Sequence, residues 1–548
     1  MQARAETPRL AGGCPTVVSG TKDSLLREAI NPARQAITNS WSETQGCITL
    51  GAMNDYQLFW GDLHNHNAVG YARGSIERTY DIAQEHLDVL AFTPHSQWHD
   101  MPEMPNDAHM KWVNGFKVLQ DNWPKVQRLA AESNRKGKFV SILAYEWHSS
   151  FFGDYCLYYP ADHSPLKYHD HVRDLQNYVK GTGAMIVPHH LAYKQGWRGA
   201  NWDYLEPSVS PVMEIMSEHG LSEHDRAGFR YIRHSMGGRW TRNTLQAALQ
   251  RGFRPGVIAS SDDHLGYPGA YGEGLAGIWA KELSRAAIME ALWNRRTIAV
   301  SGDRIRLFAT LNDQLMGSEI PFTRESEFEI SVQGKDEIEK IEILKHNRVV
   351  YRYFPEDYVR DDGPWPGRVL SRVEFGWGPW GDLNMTRIAD WDATITVTNG
   401  KIASLTPCFQ SGPFDEDRRD RILERKDSSS RVRLFTSRKQ AYEEKPTKSV
   451  LLEIIGGRDA VIRLAVTKPA PLQFQRTLGE LAENSEVEFT GPFTAESVLI
   501  HRLVTPELYN ARFRHTDYGR AGKTDYYYVR ATQANGHQAW SSPFWVEA

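Results

Sequence analysis

Six apolar runs between Tyr56 and His264 each end in a cluster of acids and imidazoles: DLHNH, TPHS, YEWHSS, VPHH, MSEHG and SSDDH. The runs are YQLFWGDLH, LDVLAFTP, KFVSILAYE, AMIVP, PVMEIMS and PGVIASS, with DYCLYYP as a further one. They are short, apolar and rich in aromatic and β-branched residues, which marks buried strands rather than helices. Helical stretches separate them. Ser75 caps one that runs to about His86, and a second covers about residues 109–135, with Pro124 expected to break or kink it. HVRDLQNYVKG ends near Gly181, residues 241–250 form a short helix, and Ser284 caps the last one, to about Arg295. Strand and helix thus alternate from Tyr56 to about Asp303, the pattern of a parallel α/β layer or barrel. In such a barrel the active site lies at the carboxyl ends of the strands, so the six polar endings would share one mouth.

On either side the pattern changes. Residues 1–55 carry scattered Gly, Pro, Ser and Thr and read as an irregular arm with one short helix near residues 22–36. After Asp303 the period becomes two, as in SEFEISVQG, where Phe328, Ile330 and Val332 alternate with polar neighbours. EIEKIEILKHNRVVYRYF reads as a hairpin, and ATITVTNGKIASL carries Asn399-Gly400, the strongest short hairpin signal. Residues 304–548 are therefore expected to form an antiparallel β domain or sandwich. The Trp-rich EFGWGPWG and the charge run DEDRRDRILERK, a solvated loop or short helix, interrupt it.

Histidine says which part carries chemistry. Sixteen of the 20 histidines fall between His64 and His264, and imidazole is both the commonest metal ligand and the usual acid or base near neutrality. Other functions are disfavoured by composition. Lys and Arg number 64 against 68 Asp and Glu, a net charge of −4, so no basic excess neutralises a nucleic-acid backbone. No apolar run approaches ~18 residues, so no transmembrane helix is expected. The amino-terminal residues lack the apolar core of a signal peptide. Cys14, Cys47, Cys156 and Cys408 form no CxxC, which makes a reducing, cytoplasmic setting the expectation.

His64 and His66 end the first run two residues apart, and in an extended chain i and i+2 share a face, so both imidazoles can reach one ion. Asp262 and His264 repeat this spacing after PGVIASS, with His95, Glu146, His189 and His219 at the run endings between them. These residues resemble the PHP (polymerase and histidinol phosphatase) superfamily of metal-dependent phosphoesterases. GDLHNH matches its HxH motif, AFTPHS its second motif, LAYEWH its metal-bridging glutamate, and IVPHH its third motif, with His189 a better match than His190. The likeness covers about residues 56–300. It extends to a poorly characterised PHP-related family with a C-terminal β region, matched here by YYYVRATQANGHQAWSSPFWVEA.

The resemblance implies a distorted (β/α)7-type barrel over residues 56–303, followed by the antiparallel β domain. It also implies two divalent transition metals, Zn, Mn or Fe, and room for a third. His64, His66, Glu146 and Asp262 would hold one ion, Glu146, His189 and His219 the second, and His95 and His264 would belong to the third. Members with three metals carry another imidazole soon after the HxH. NAVGYARGS has none, so the third position is either absent or held by a substitute such as His99 or Asp263. The implied activity is hydrolysis of a phosphoester of a small polar or anionic substrate by a metal-bound hydroxide, in which His95 and His264 could also act on the substrate.

Paired ions suit this chemistry because they clamp a tetrahedral group and lower the pKa of a water between them. Arg73 could grip a phosphate bidentately, or sit in a surface pair. His99 and His148 are candidates for acid–base or substrate contact, against a structural role. Trp98, Trp147, Tyr193 and Trp197 could line a pocket or simply pack, and Lys194 and Arg198 could make its mouth cationic or lie on a solvated face. Glu214 reads as a supporting residue rather than a ligand. The runner-up is a metal-dependent hydrolase or lyase acting on a sugar, ester or amide. Amidohydrolases share the HxH and the late Asp but usually place a bridging Lys where this chain has Glu146. A metal-binding scaffold without catalysis is the third reading. A small molecule is the expected partner, with no nucleic acid and no membrane, and self-association stays open.

Overall fold

The computed structural model describes residues 55–101, 107–231, 238–359, 363–376, 388–409, 418–437, 447–492 and 495–548. The expected N-terminal arm, save Asp55, and the Trp-rich stretch beyond Gly376 lie outside them. The strands of the first half are β1 (Gln57–Asp62), β2 (Val89–Phe92), β3 (His95–Trp98), β4 (Val140–His148), β5 (Asp154–Tyr159), β6 (Met185–His189), β7 (Val212–Ser217), β8 (Gly220–Leu221), β9 (Gly256–Ala259), β10 (Leu275–Ala280) and β11 (Thr297–Val300). The helices are α1 (Ile76–His86), α2 (Asp107–Ser133), α3 (Val172–Lys180), α4 (Leu245–Gln250) and α5 (Arg285–Trp293). Ser75 and Ser284 cap α1 and α5 as expected, their hydroxyls accepting from Arg78 N and Ala287 N.

The molecule is mixed α/β, rich in strands. β1, β2 and β4 pair in parallel, β3 runs parallel to the end of β4, and β7 is parallel to β9. β5 is antiparallel to both β4 and β6, and β10 to both β1 and β11. The sheet that holds β1–β6, β10 and β11 is thus mixed rather than all parallel, and β7, β8 and β9 form a separate small sheet. Only residues 149–153 link β4 to β5, too few for the crossover that a parallel return needs. Pro124 neither breaks nor ends α2, which runs on to Ser133. Leu119, Trp123, Val126 and Ala130 are buried on both sides of it, so packing carries the helix through the missing hydrogen bond.

Beneath the sheet lies a core that includes Val89, Ile142, Val187, Ile258 and Ile278. A second core, around Phe375, Trp391, Ile395, Leu452 and Ile462, fills an eight-stranded antiparallel sheet in the C-terminal half. In a separate four-stranded sheet, Phe328, Ile330 and Val332 are buried along the strand Glu325–Gln333, as their alternation predicts. The hairpin Ile338–Lys345 to Arg348–Tyr353 turns at His346 and Asn347, whose φ values of 48° and 63° suit a tight turn. Asn399-Gly400 makes no hairpin, contrary to expectation. It lies inside the 21-residue strand Ile388–Cys408, where the register against the 21-residue strand Lys448–Lys468 shifts. Partner residues on both sides of the break keep the chain extended, and the φ of 56° at Asn399 is absorbed as an irregularity.

The last strands return to the first half. Gln538–Ser541 pairs with β11, and Asp525–Gln533 pairs with Gln538–Ser541. Two buried carboxylates reinforce this junction. Glu223 accepts from Tyr528 Oη, Arg530 and Trp540 Nε1, each at 2.8 Å. Asp303 accepts from Arg372, Tyr271 Oη, Gln533 and Asn535. No helix of the described residues is long and apolar enough to cross a membrane.

Candidate metal centre

The ends of β1, β7 and β9 are stitched together by backbone bonds. Asp262 N donates to His64 O at 2.7 Å, His66 N to Asp263 O at 2.9 Å, and Glu218 N to Ser261 O at 3.0 Å. Asp62 locks the same corner. Its buried carboxylate accepts from Ser261 N and Oγ and from Gly269 N, while burial pushes its pKa up to about 7. Left-handed backbone occurs here too. His190, Arg198 and Asp262 have φ of 51°, 66° and 56°, left-handed values rare for residues other than glycine and typical of functional sites.

Two buried carboxylates, Glu146 and Asp262, form the heart of the cluster. Glu146 Oε1 lies 3.0 Å from His189 Nε2, and its Oε2 lies 2.7 Å from His95 Nδ1, 3.2 Å from His148 Nε2 and 3.6 Å from His66 Nε2. Asp262 Oδ1 lies 2.8 Å from His66 Nε2 and 3.2 Å from His64 Nε2, and its Oδ2 lies 2.8 Å from both His190 Nε2 and His219 Nε2. The Nε2 atoms of His64 and His66 are 3.2 Å apart, as are those of His95 and His264. His66, His95 and Tyr71 stack face to face, at 3.9 and 4.0 Å between centroids.

Several rings are held from behind. His64 Nδ1 faces both oxygens of Glu214, at 3.1 and 3.3 Å, and His219 Nδ1 meets Tyr193 Oη at 2.7 Å. His264 Nδ1 faces two acceptors, Asp262 O at 2.8 Å and Glu218 Oε1 at 3.0 Å. A proton on the outer nitrogen leaves the Nε2 lone pair directed inward, the arrangement that metal-ligating histidines use. His264 and Glu218, 29% and 30% exposed, mark the solvent side, whereas the rest of the cluster is buried.

Burial favours neutral carboxyls, but the histidines around each acid outweigh it. His148, His95 and His189 hold Glu146 well below the usual range, as His64, His219 and His190 do Asp262. Burial and neighbouring imidazoles push His66 down to about 3 and His190 to about 4, and lower His95 and His219 strongly. Such lowering favours the neutral ring, the form that ligates.

The donor set fits divalent cations. Glu146 Oε2, His66 Nδ1 and both ring nitrogens of His189 are buried yet form no hydrogen bond. Such orphans are rare without an ion or water to satisfy them. Groups able to hold a metal include His64, His66 and Asp262, then His66, His95 and His264, and also His95, Glu146 and His148. Mixed imidazole and carboxylate donors suit Zn, Mn or Fe.

Of the residues predicted from sequence, His64, His66, His95, Glu146, His189, His219, Asp262 and His264 meet in this cluster. Their grouping differs in one respect: His219 faces Asp262, not Glu146. Asp262 and His264 also come together differently from the extended pair expected, because β9 ends at Ala259 and Asp262 is left-handed. Arg73 and His99 are not brought in. Arg73 is exposed and joins the site through its backbone N–H, which donates to His264 O. His99 is exposed beside Trp147, which points away from the face of β4 that bears Glu146. Asp263 turns to the backbone instead, accepting from Leu265 N and Tyr267 N. Trp197 and Lys194 are exposed, while Arg198 is buried against Asp154 with its guanidinium over Trp98.

Sequence reasoning left Asp154 and Cys156 out of the centre, gave His148 an acid–base or substrate contact rather than a ligand's place, and preferred His189 to His190 as the ligand. His148 was within reach of the i, i+2 rule used for His64 and His66, since it stands two residues after Glu146 on β4. Asp154 and Cys156 share a face of β5 by the same rule, and Cys156 lies opposite Glu146 in register and near His64 and His189.

A family model described as "Protein of unknown function (DUF3604)" matches residues 266–317. An uncharacterized protein of Chlamydia trachomatis serovar D is 28% identical over 398 residues, covering 67% of this chain and 59% of its own length. One from Chlamydia pneumoniae is 23% identical over 343 residues, covering 58% of this chain and 52% of its own length. The chain spans less than two thirds of the length of these relatives. A crystal structure of a two-domain protein from Bacteroides vulgatus, containing a predicted PHP-like metal-dependent phosphoesterase, is similar over 77% of this chain and 96% of that one. Its identity is 13% and its TM-score 0.28.

Proposed function

We propose that this chain is a metal-dependent hydrolase of PHP type that cleaves a phosphoester of a small polar or anionic substrate. The fold in this reading is a distorted (β/α)7-type barrel followed by a β-rich domain. One observation carries the assignment: all four oxygens of the buried Glu146 and Asp262 face imidazole nitrogens, at 2.7–3.9 Å. Two anions so surrounded by imidazole nitrogens make a binding site for paired cations. His64 and His66 stand between the two carboxylates, with His189, His219, His95 and His264 as the further donors.

Bound divalent ions would supply Lewis-acid charge at the scissile group and bring the pKa of a water toward neutrality. The protein's own residues fix the donors and shield them from solvent. His264 is the ring at the opening. Its Nδ1 proton is shared with Glu218 and the Asp262 carbonyl, so its Nε2 lone pair is aimed inward, where it can hold a cation at the solvent side of the centre.

The test is turnover by protein loaded separately with Zn, Mn or Fe(II), on phosphomonoesters and phosphodiesters beside carboxylic esters, amides and glycosides. Phosphoester cleavage is expected, with Glu146→Gln slower by roughly 10²-fold or more. Hydrolysis of neutral esters or amides alone, with phosphoesters inert under every metal, overturns the phosphoesterase reading.

A further inference from the structure

We propose that His148 is a metal donor of this centre, acting through Nε2 beside His95 and Glu146 Oε2, with Asp154 as its positioning residue. The inference rests on the cluster being a metal centre and adds a ligand where the segment after His66 supplies none.

Three atoms make the case. His95 Nδ1, Glu146 Oε2 and His148 Nε2 form a triangle with sides of 2.7, 2.7 and 3.2 Å. Donors bound to one ion at about 2.0–2.2 Å lie about 2.9–3.6 Å apart, close to this spacing. Hydrogen bonding alone leaves the triangle unsatisfied. A proton on His95 Nδ1 can go to the carboxylate or to His148 Nε2, and either choice leaves one acceptor without a donor. Glu146 Oε2 indeed makes no hydrogen bond, although Glu146 is only 1% exposed. A buried anionic oxygen without a donor is costly, and one cation among the three atoms satisfies them all.

The far side of His148 is built for the same role. Its Nδ1 lies 3.4 Å from Asp154 Oδ2, an electrostatic contact that favours the proton on Nδ1 and leaves Nε2 free to ligate. Asp154 is fully buried and fixed in turn. Arg198 Nε donates to its Oδ2 at 2.6 Å, and Ser149 N to its Oδ1 at 3.1 Å. The same Oδ2 lies 3.4 Å from His190 Nδ1, so one carboxylate stands behind two rings whose Nε2 atoms face Glu146 and Asp262. Strand geometry delivers His148, because Glu146 and His148 share a face of β4 and pair in register with His95 and Trp98 of β3.

The direct test is a crystal structure of the metal-loaded wild-type protein with anomalous difference maps at the absorption edge of the bound metal. A peak about 2.0–2.2 Å from His148 Nε2 is expected. Elemental analysis should then find about one ion fewer per chain in His148→Gln than in wild type. In Asp154→Asn, chelator competition should show one site weakened about 10–100-fold while circular dichroism stays unchanged. Ions at His64, His66 and Asp262 with none bonded to His148 would overturn the proposal, whatever the folding of the variants. Wild-type protein that binds no ion would instead remove the metal-centre reading, and this inference with it.

Discussion

His189 and His190 are neighbours in sequence, yet both rings enter the same cluster, their centroids 4.2 Å apart. Successive residues of a strand point to opposite faces. The left-handed turn at His190 breaks that alternation and gives Glu146 one ring and Asp262 the other. His189→Ala and His190→Ala should therefore each weaken metal binding, by at least roughly 10²-fold at the affected position. Titration of the apo variants with Zn under chelator competition measures this. Wild-type affinity in His190→Ala would show that only the first ring of the pair matters.

Asn399 offers a test of the backbone itself, since it is exposed and has a φ of 56°. Asn399→Val should lose about 1–2 kcal/mol, because a β-branched residue resists the left-handed region. Asn399→Gly should leave the urea midpoint within a few tenths of a kcal/mol of wild type or above it. An unchanged midpoint in the valine variant would mean that the strand relaxes around the irregularity.

Local signals made much of the fold legible. Ser75 and Ser284 cap the helices their positions announce, and Phe328, Ile330 and Val332 face inward as their spacing requires. What failed was decided by partners far along the chain. Pro124 stays helical because buried residues on either side hold it, and Asn399 stays in a strand because Lys448–Lys468 continues past it. The candidate centre divides in the same way. The spacing of His64 with His66 was readable as a shared face. The participation of His190 and Asp262 depends on left-handed conformations that their sequence does not announce. Asp154 enters only because β5 folds back beside β4 and brings it behind His148.

The C-terminal strands should matter to the first half through Glu223. Arg530 is the only cation among the three donors this buried carboxylate accepts from, and it also pairs with Glu342. Arg530→Met should cost about 3–5 kcal/mol, because an uncompensated buried charge is left behind. Adding Glu223→Gln should recover part of the loss, a coupling that urea unfolding of the single and double variants measures. Additive losses would mean that the two residues stabilise the junction independently.

Acid should loosen the same junction through Asp303. Burial opposes its charge, but Arg372 and His537 outweigh burial and hold the carboxyl well below the ordinary Asp value. The folded group therefore binds its proton less readily than the unfolded one, whose pKa is about 3.9. Its contribution to stability is complete above that value and declines as pH falls toward the depressed folded pKa. Asp303→Asn removes this dependence and leaves the buried Arg372 without its carboxylate partner, so the variant should be less stable at neutral pH. The gap between the two proteins should narrow as pH drops from about 5 to about 2, read as converging urea midpoints. Curves that stay parallel over that range would show that Asp303 titrates alike in both states and that the Arg372 pair lends the fold no charge-dependent stability.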